Sequence, residues 1–411
     1  MSDRADLLDA FARGALVRPS VDQMCFVDVV RAVQHAAGVD CELNEHARDV
    51  RAHLRGAEHI VFLLADGMGI DLVDRLPRNS WIRRHTGRAI LAPFPSTTTT
   101  AVTSFATGAH TAEHAVSGWW VHIPRVEGPA TVFAHDRAHD GRSLSDLGLG
   151  VDAICHLPPM LSEMSSDAML LVPTGIVDSP FTAHMSGGRT RRGYRTYGDA
   201  LNTIVERVQQ AEGPTFTYWY TPSPDSEAHD EGSTGERVFH AVEALSATLE
   251  TLAERLTDVG RPWRLVGTAD HGHLELSPHL ELAPGDALLE HLRFPPSGDM
   301  RVQFWHVRDG SGERFTSAFR SRFSESFYLL SAETAEELEL FGPGRWSEQM
   351  RQRSGDFVSI SKGRASLRYA GIPGSNGYRR MRSGHSGLSP AEMRVPLIIG
   401  GEASSELAFD P

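Results

Sequence analysis

Apolar residues along this chain fall into two kinds of run, and the two kinds alternate. "EHIVFLLADGMG" holds an unbroken apolar stretch from Ile60 to Leu64, closed by Asp66 and two glycines. A strand covered by helices on both faces has that pattern. "DAMLLVPTGI", "PTFTYWY" and Trp263 to Thr268 read the same way. "GVDAICHL" is a further strand candidate, and Val395 to Ile399 a last one. Helical spacing lies between them. Val238, Val242, Leu245, Leu249, Leu252 and Leu256 recur on one face across Gly235 to Thr257, and Asp199 to Gln210 reads as a shorter helix. Residues 1–55 read as mostly polar helix with an apolar stripe at Phe26, Val27, Val30 and Val33. "STTTTAVTSFATG" reads as a loop entering a helix, with hydroxyl residues suited to its N-cap. Such alternation predicts an α/β sheet covered on both faces.

From about 275 to 375 the rhythm breaks. Turn signals such as "FPPSGD" and "FGPGRW" punctuate a patchy strand-like pattern. The expectation is a smaller α+β subdomain, 276–375, inserted in a core formed by 1–275 and 376–411.

Composition narrows the function classes. The chain has 411 residues, 40% hydrophobic and 23% charged, enough for one large α/β domain with an insertion. A net charge of -13 repels nucleic-acid backbones and anionic membranes, which disfavours a polymeric nucleic-acid partner. Small phosphorylated ligands remain compatible, because a local site can oppose the overall charge. Cys25, Cys41 and Cys155 form no close pair, which argues against a disulfide framework or a cysteine zinc site. The N-terminus has no apolar segment after a basic start, and no run of about 18 apolar residues occurs, so a cytoplasmic protein without a membrane span is expected.

The chemistry-bearing residues gather at the ends of the expected strands. Asp66 follows "LLA", Asp225 and His229 lie in "PDSEAHDEG", Asp270 and His271 in "ADHGH", and His385 in "SGHSG". In open α/β sheets ligands bind beyond the carboxyl ends of strands. Each piece has an ordinary reading, since an Asp after a strand often caps a turn and a His between glycines is often a plain loop residue. Three carboxylates and three imidazoles in matching places are a different matter. They form a donor set suited to two zinc ions, and to manganese. Asp225 and His229 are four apart, so one helical turn can aim both at one ion. His273, His110 and His114 are candidates for structural or supporting roles. Near them, "APFPSTTTTAVTSFATGAHTAEHAVSG" places hydroxyls at a helix start, where free N–H groups favour phosphate and nearby cations activate a nucleophile.

This string resembles the nucleotide pyrophosphatase/phosphodiesterase family of the alkaline phosphatase superfamily. That family places a threonine nucleophile four residues after the Phe of a Phe-Pro pair, and the Gly of a Thr-Gly pair ten residues beyond. Phe94–Pro95 and Thr107–Gly108 then put the nucleophile at Thr98. His114 of "EHAVSG" matches the family's following His. The resemblance implies one zinc on Asp66, Asp270 and His271, shared with Thr98, and a second on Asp225, His229 and His385. It implies a three-layer α/β/α sandwich of alkaline phosphatase type with a mostly parallel central sheet. It also implies hydrolysis of phosphate esters through a phosphothreonine, most simply as a phosphodiesterase or nucleotide pyrophosphatase acting on a small phosphorylated substrate such as a nucleotide. Phosphomonoester or phosphonate hydrolysis on the same site is the rival, with a non-catalytic binding protein behind it. Two departures stand out. Thr97 replaces a lysine common in the family, and Trp119 and Trp120 occupy the neighbourhood of an asparagine that contacts a phosphate oxygen. Trp119 and Tyr218 are candidate substrate contacts. Tyr218, Trp219 and Tyr220, at a strand end, read more simply as core.

Overall fold

A computed structural model describes residues 3–401. Its larger sheet has seven strands. In chain order these are β1 (His59–Ala65), β2 (Thr86–Leu91), β3 (Asp167–Pro173), β4 (Thr190–Tyr194), β5 (Thr215–Thr221), β6 (Trp263–Thr268) and β7 (Arg394–Gly401). Across the sheet they run β2-β7-β6-β1-β5-β3-β4. β1 pairs in parallel with β5 and β6, and β3 in parallel with β4 and β5. β7 runs antiparallel to both strands it lies between, β2 and β6.

Every residue of β1 is buried, as its apolar run requires. Alternate side chains of a strand face opposite sides, and β5 shows what covers each side. Tyr218 stacks at 4.2 Å on Phe105 of helix α2 (Thr98–Thr107), which also packs with helix α1 (Phe26–Ala36). Trp219 meets Tyr197, edge to face at 6.1 Å, on helix α3 (Tyr197–Gln210). Helix α4 (Asp225–Glu231) follows β5, and the long helix α5 (Glu236–Val259) lies against α3. The apolar stripe of α5 is buried at Val238, Val242, Leu245, Leu249, Leu252 and Leu256. At about 25 cal/mol per Å2 of apolar surface, each such side chain contributes about 1.5–3 kcal/mol.

A second sheet, also of seven strands, is antiparallel. It joins strands from 297–361 to three from 120–137, through a contact between Gly298 and Trp120. The segment 276–375 therefore shares its sheet with chain that precedes β3. The last ten residues of the 376–411 segment lie outside the described residues.

One expected strand is absent. "GVDAICHL" holds a short 3-10 turn, Val151–Ala153, with Ile154 and Cys155 buried beneath it. A three-residue apolar run, Ala153 to Cys155, can be buried equally well by a turn.

Candidate active site

The register of the three central strands sets the site. Ala65 pairs with Thr221, and Leu64 pairs with Thr268, so β6, β1 and β5 end level. Asp66 and Asp270 sit just past two of these ends. Asp225 begins α4, turned back so that its N–H donates to the Asp66 carbonyl at 3.0 Å. Three carboxylates thus converge from strands far apart in sequence.

Asp66, Asp270 and His271 form one cluster, with donor atoms within 4.8 Å of one another. Asp270 Oδ1 accepts the N–H groups of Gly67 (2.9 Å) and His271 (3.0 Å). Its other oxygen, Oδ2, is buried without any hydrogen-bond partner. An anionic oxygen left so is costly, and a cation is the natural occupant. Tyr220 Oη donates to Asp66 Oδ2 at 2.5 Å. Burial, then the charges of Asp270 and Asp225, push the Asp66 carboxyl well above the usual range.

The second cluster centres on Asp225. His229 Nε2 lies 3.2 Å from its Oδ1, His273 Nε2 2.9 Å and His385 Nε2 3.8 Å. Two further groupings of donor atoms occur, Asp225–His229–His273 and Asp225–His271–His385. Burial pushes Asp225 up, but His229 and His273 outweigh it and hold the carboxyl well below its usual range. His229 shows the reciprocal shift, to about 9: burial lowers it, and Asp225 more than reverses this. Burial, then the neighbouring His271, lowers His385 well below its usual value.

The imidazoles are oriented for ligation. Nδ1 of His229 faces the Ser383 carbonyl at 2.9 Å, Nδ1 of His271 the Gly272 carbonyl at 3.1 Å, and Nδ1 of His385 the Ser96 carbonyl at 3.1 Å. A carbonyl only accepts, so Nδ1 carries a proton and Nε2 is the nitrogen that faces the carboxylates, where a metal would take the place of any proton it holds. His271 and His385 stack face to face at 3.6 Å. The orphaned Asp270 oxygen and this mixed oxygen–nitrogen donor set fit zinc or manganese.

Thr98 is the first residue of α2. Its Oγ1 lies 3.4 Å from both Asp66 oxygens and 3.4 Å from His271 Nε2. The neighbouring hydroxyls turn elsewhere. Thr97 donates to Asp299 (2.9 Å) and Thr100 to the Val116 carbonyl (3.0 Å). Beside Thr98 opens a cavity of about 300 Å3, walled by Trp119, Phe133, Phe181, Met185, Tyr218 and Tyr220. No arginine or lysine lines it. Tyr218 is 1% exposed and also belongs to the core, while Trp119 meets Phe133 edge to face at 5.5 Å. His114 lies apart from the carboxylates, buried between Ser104 Oγ and the Val116 N–H, and braces the far end of α2. His273 lies beside the carboxylates, its Nε2 2.9 Å from Asp225 Oδ1 and its Nδ1 3.1 Å from Ser383 Oγ.

A hydroxyl at a helix start, facing carboxylates and imidazoles beyond the ends of parallel strands, defines a metal-dependent hydrolase. The chain belongs to the type I phosphodiesterase/nucleotide pyrophosphatase family, whose model matches residues 60–379. Members are metal-dependent phosphate-ester hydrolases, and this chain is a phosphodiesterase-type hydrolase. Among solved structures it resembles murine ectonucleotide pyrophosphatase/phosphodiesterase 5, with 14% identity, a TM-score of 0.61, and 84% of this chain and 88% of that one covered. An inactive variant of the murine protein in complex with AMP gives a TM-score of 0.60 at 13% identity, covering 82% and 87%. The human counterpart gives 0.61 at 15%, covering 84% and 88%. The shared architecture is the alkaline phosphatase-type fold. No curated protein sequence matches the chain. Among the described residues, no helix is long and apolar enough to cross a membrane.

Proposed function

We propose that the chain hydrolyses phosphodiesters in two steps, with Thr98 as nucleophile. The observation that carries this reading is the position of Thr98 Oγ1, equidistant from the Asp66 carboxylate and His271 Nε2. Asp66, Asp270 and His271 would hold one divalent cation, and Asp225, His229 and His385 a second. When bound, the two cations supply a lowered hydroxyl pKa at Thr98 and neutralise charge on the leaving oxygen. Asp66 orients the Thr98 hydroxyl towards phosphorus, and Tyr220 holds Asp66 in place. Thr98 Oγ bonds to phosphorus as the ester bond to the leaving oxygen breaks. Water then hydrolyses the phosphothreonine and restores the hydroxyl. His273 holds Asp225 through Oδ1, the same oxygen that His229 and His385 approach.

Two features support a diester over a monoester. A monoester dianion calls for an added cation, and the cavity wall has none. The second substituent of a diester also needs room, and the aromatic cavity beside Thr98 provides it. The half-buried Trp119 on the cavity wall offers a flat apolar surface to that substituent. The test compares a mono- and a diester of one chromogenic alcohol with added zinc. A diester kcat/KM well above that of the monoester is expected. The reverse order would replace this reading with that of a phosphomonoesterase.

A further inference from the structure

Helix α2 begins without the cap its sequence offers. Thr97 is the N-cap residue, in extended conformation (φ -146°, ψ 150°), yet its side chain accepts no bond from the helix. An N-cap threonine ordinarily takes the N–H of the second or third helical residue, here Thr99 or Thr100. The hydroxyl of Thr97 points instead to Asp299, donating to Oδ2 at 2.9 Å.

Asp299 comes from the second sheet, in the turn of "FPPSGD", and is 3% exposed. Oδ2 also accepts the Trp119 N–H at 3.3 Å, while Oδ1 accepts the Met300 N–H at 2.7 Å and the Tyr378 hydroxyl at 3.3 Å. Backbone shape brings it there. Gly298 has φ +106°, a conformation that favours glycine, and a Cβ on Gly118 would sit 2.5 Å from the Gly298 carbonyl. The two glycines let the turn press against the segment before Trp119. One buried carboxylate thereby holds both places where this chain departs from the family pattern, Thr97 and Trp119.

We infer that Asp299 is a positioning residue for the reaction. By holding the Thr97 hydroxyl it keeps that residue from capping its own helix, which leaves the first-turn N–H groups open to phosphate oxygens, and it fixes Trp119 beside them. Free N–H groups at a helix start favour phosphate. A self-capped Thr97 would use one of them up. The inference rests on Thr98 as the nucleophile.

The experiment measures kcat, KM and, by calorimetry, the affinity for inorganic phosphate, in wild type, Thr98→Ala, Asp299→Ala, Asp299→Asn, Thr97→Val and the Asp299→Ala/Thr97→Val double variant. Asp299→Ala frees Thr97 to cap and should lower kcat/KM and phosphate affinity about tenfold, the scale of one hydrogen bond to a charged group. Valine cannot cap, so the double variant should recover most of both. Thr97→Val alone should remain within about threefold of wild type, and Asp299→Asn, whose amide N–H2 replaces one of two oxygens that both accept hydrogen bonds, should fall between wild type and Asp299→Ala. An inactive wild type, or full activity in Thr98→Ala, would overturn the catalytic reading and this inference together. With wild type active and Thr98→Ala impaired, three results overturn the inference alone: an unchanged Asp299→Ala, a double variant no better than Asp299→Ala, or a tenfold loss in Thr97→Val. The last of these decides the matter even where Asp299→Ala does not fold.

Discussion

Replacing Arg301 by methionine tests how the second sheet holds the loop that carries His385. Arg301 and Glu392 are both 0% exposed. The guanidinium donates from Nε to Glu392 Oε1 at 2.6 Å and from an Nη to Oε2 at 3.1 Å, and its remaining donors reach the Ala365 and Gly363 carbonyls. Glu392 in turn accepts the N–H groups of Gly387 (2.8 Å) and Ser389 (3.2 Å), while the Arg301 N–H reaches Ser386 Oγ at 3.2 Å. Ser386 adopts φ +91°, unusual for a residue with a side chain, so this loop depends on its braces. Removing one partner of a buried pair leaves a charge behind and costs about 3–5 kcal/mol. Unfolding entropy of about 2.1 cal/mol/K per residue, taken over 411 residues, is about 0.9 kcal/mol/K. Arg301→Met should therefore lower Tm by about 4–6 °C in scanning calorimetry. Arg301→Met/Glu392→Gln removes both charges and keeps an oxygen for Gly387, so it should melt above Arg301→Met. A Tm within about 1 °C of wild type, or a double variant whose loss is the sum of the single losses, would refute the reasoning.

Three further outcomes are expected. Thr98→Ala should lose roughly 10²-fold or more in rate, whereas Thr99→Val should keep both rate and stability because the Thr99 hydroxyl is buried without a partner; peptide mass analysis of a trapped adduct on any residue but Thr98 would shift the assignment. Chain purified without chelator should carry about two divalent ions, and Asp270→Ala fewer with activity reduced by orders of magnitude; elemental analysis showing the same content and rate in that variant would remove Asp270 from the site. Burial, then its neighbour, lowers His122 to about 3, and burial lowers His306 to about 4, with the two rings 4.1 Å apart. The unfolded chain binds these protons near pH 6.5 and the folded chain only near 4 and 3. Stability should thus fall on acidification below about 6.5, by up to about 1.4 kcal/mol per pH unit for each ring, and urea midpoints of His122→Phe should fall less steeply; an equal slope in the variant would count against the burial account.

Much of the central sheet was legible because its signals are local. The apolar runs of β1, β5 and β6 are strands buried on both faces, and the acids that end them face the site. The resemblance carried by Phe94–Pro95 and Thr107–Gly108 pointed to Thr98, whose hydroxyl lies beside Asp66 and His271, while Thr97 turns to Asp299 and Thr100 to the Val116 carbonyl. What escaped was non-local. Nothing in 120–137 shows that these strands pair with strands near 300, because antiparallel partners leave no mark on each other's periodicity. Asp299 read as a turn residue, which it is, and its reach to Thr97 depends on two glycines 180 residues apart in the chain. The strand read at "GVDAICHL" failed because a short apolar run fixes burial but not backbone shape.

The level ends of β6, β1 and β5 have a consequence for how the chain is made. Asp66, Asp270 and His271 are all present once synthesis has passed residue 271, whereas His385 follows more than a hundred residues later, just ahead of β7. The proposed ligand sets then become available one after the other on the ribosome. On that reading a nascent chain would hold the first donor set before the second, which waits for His385 and for the antiparallel strand between β2 and β6. Reactivity towards phosphate esters would be withheld until β7 is seated between β2 and β6.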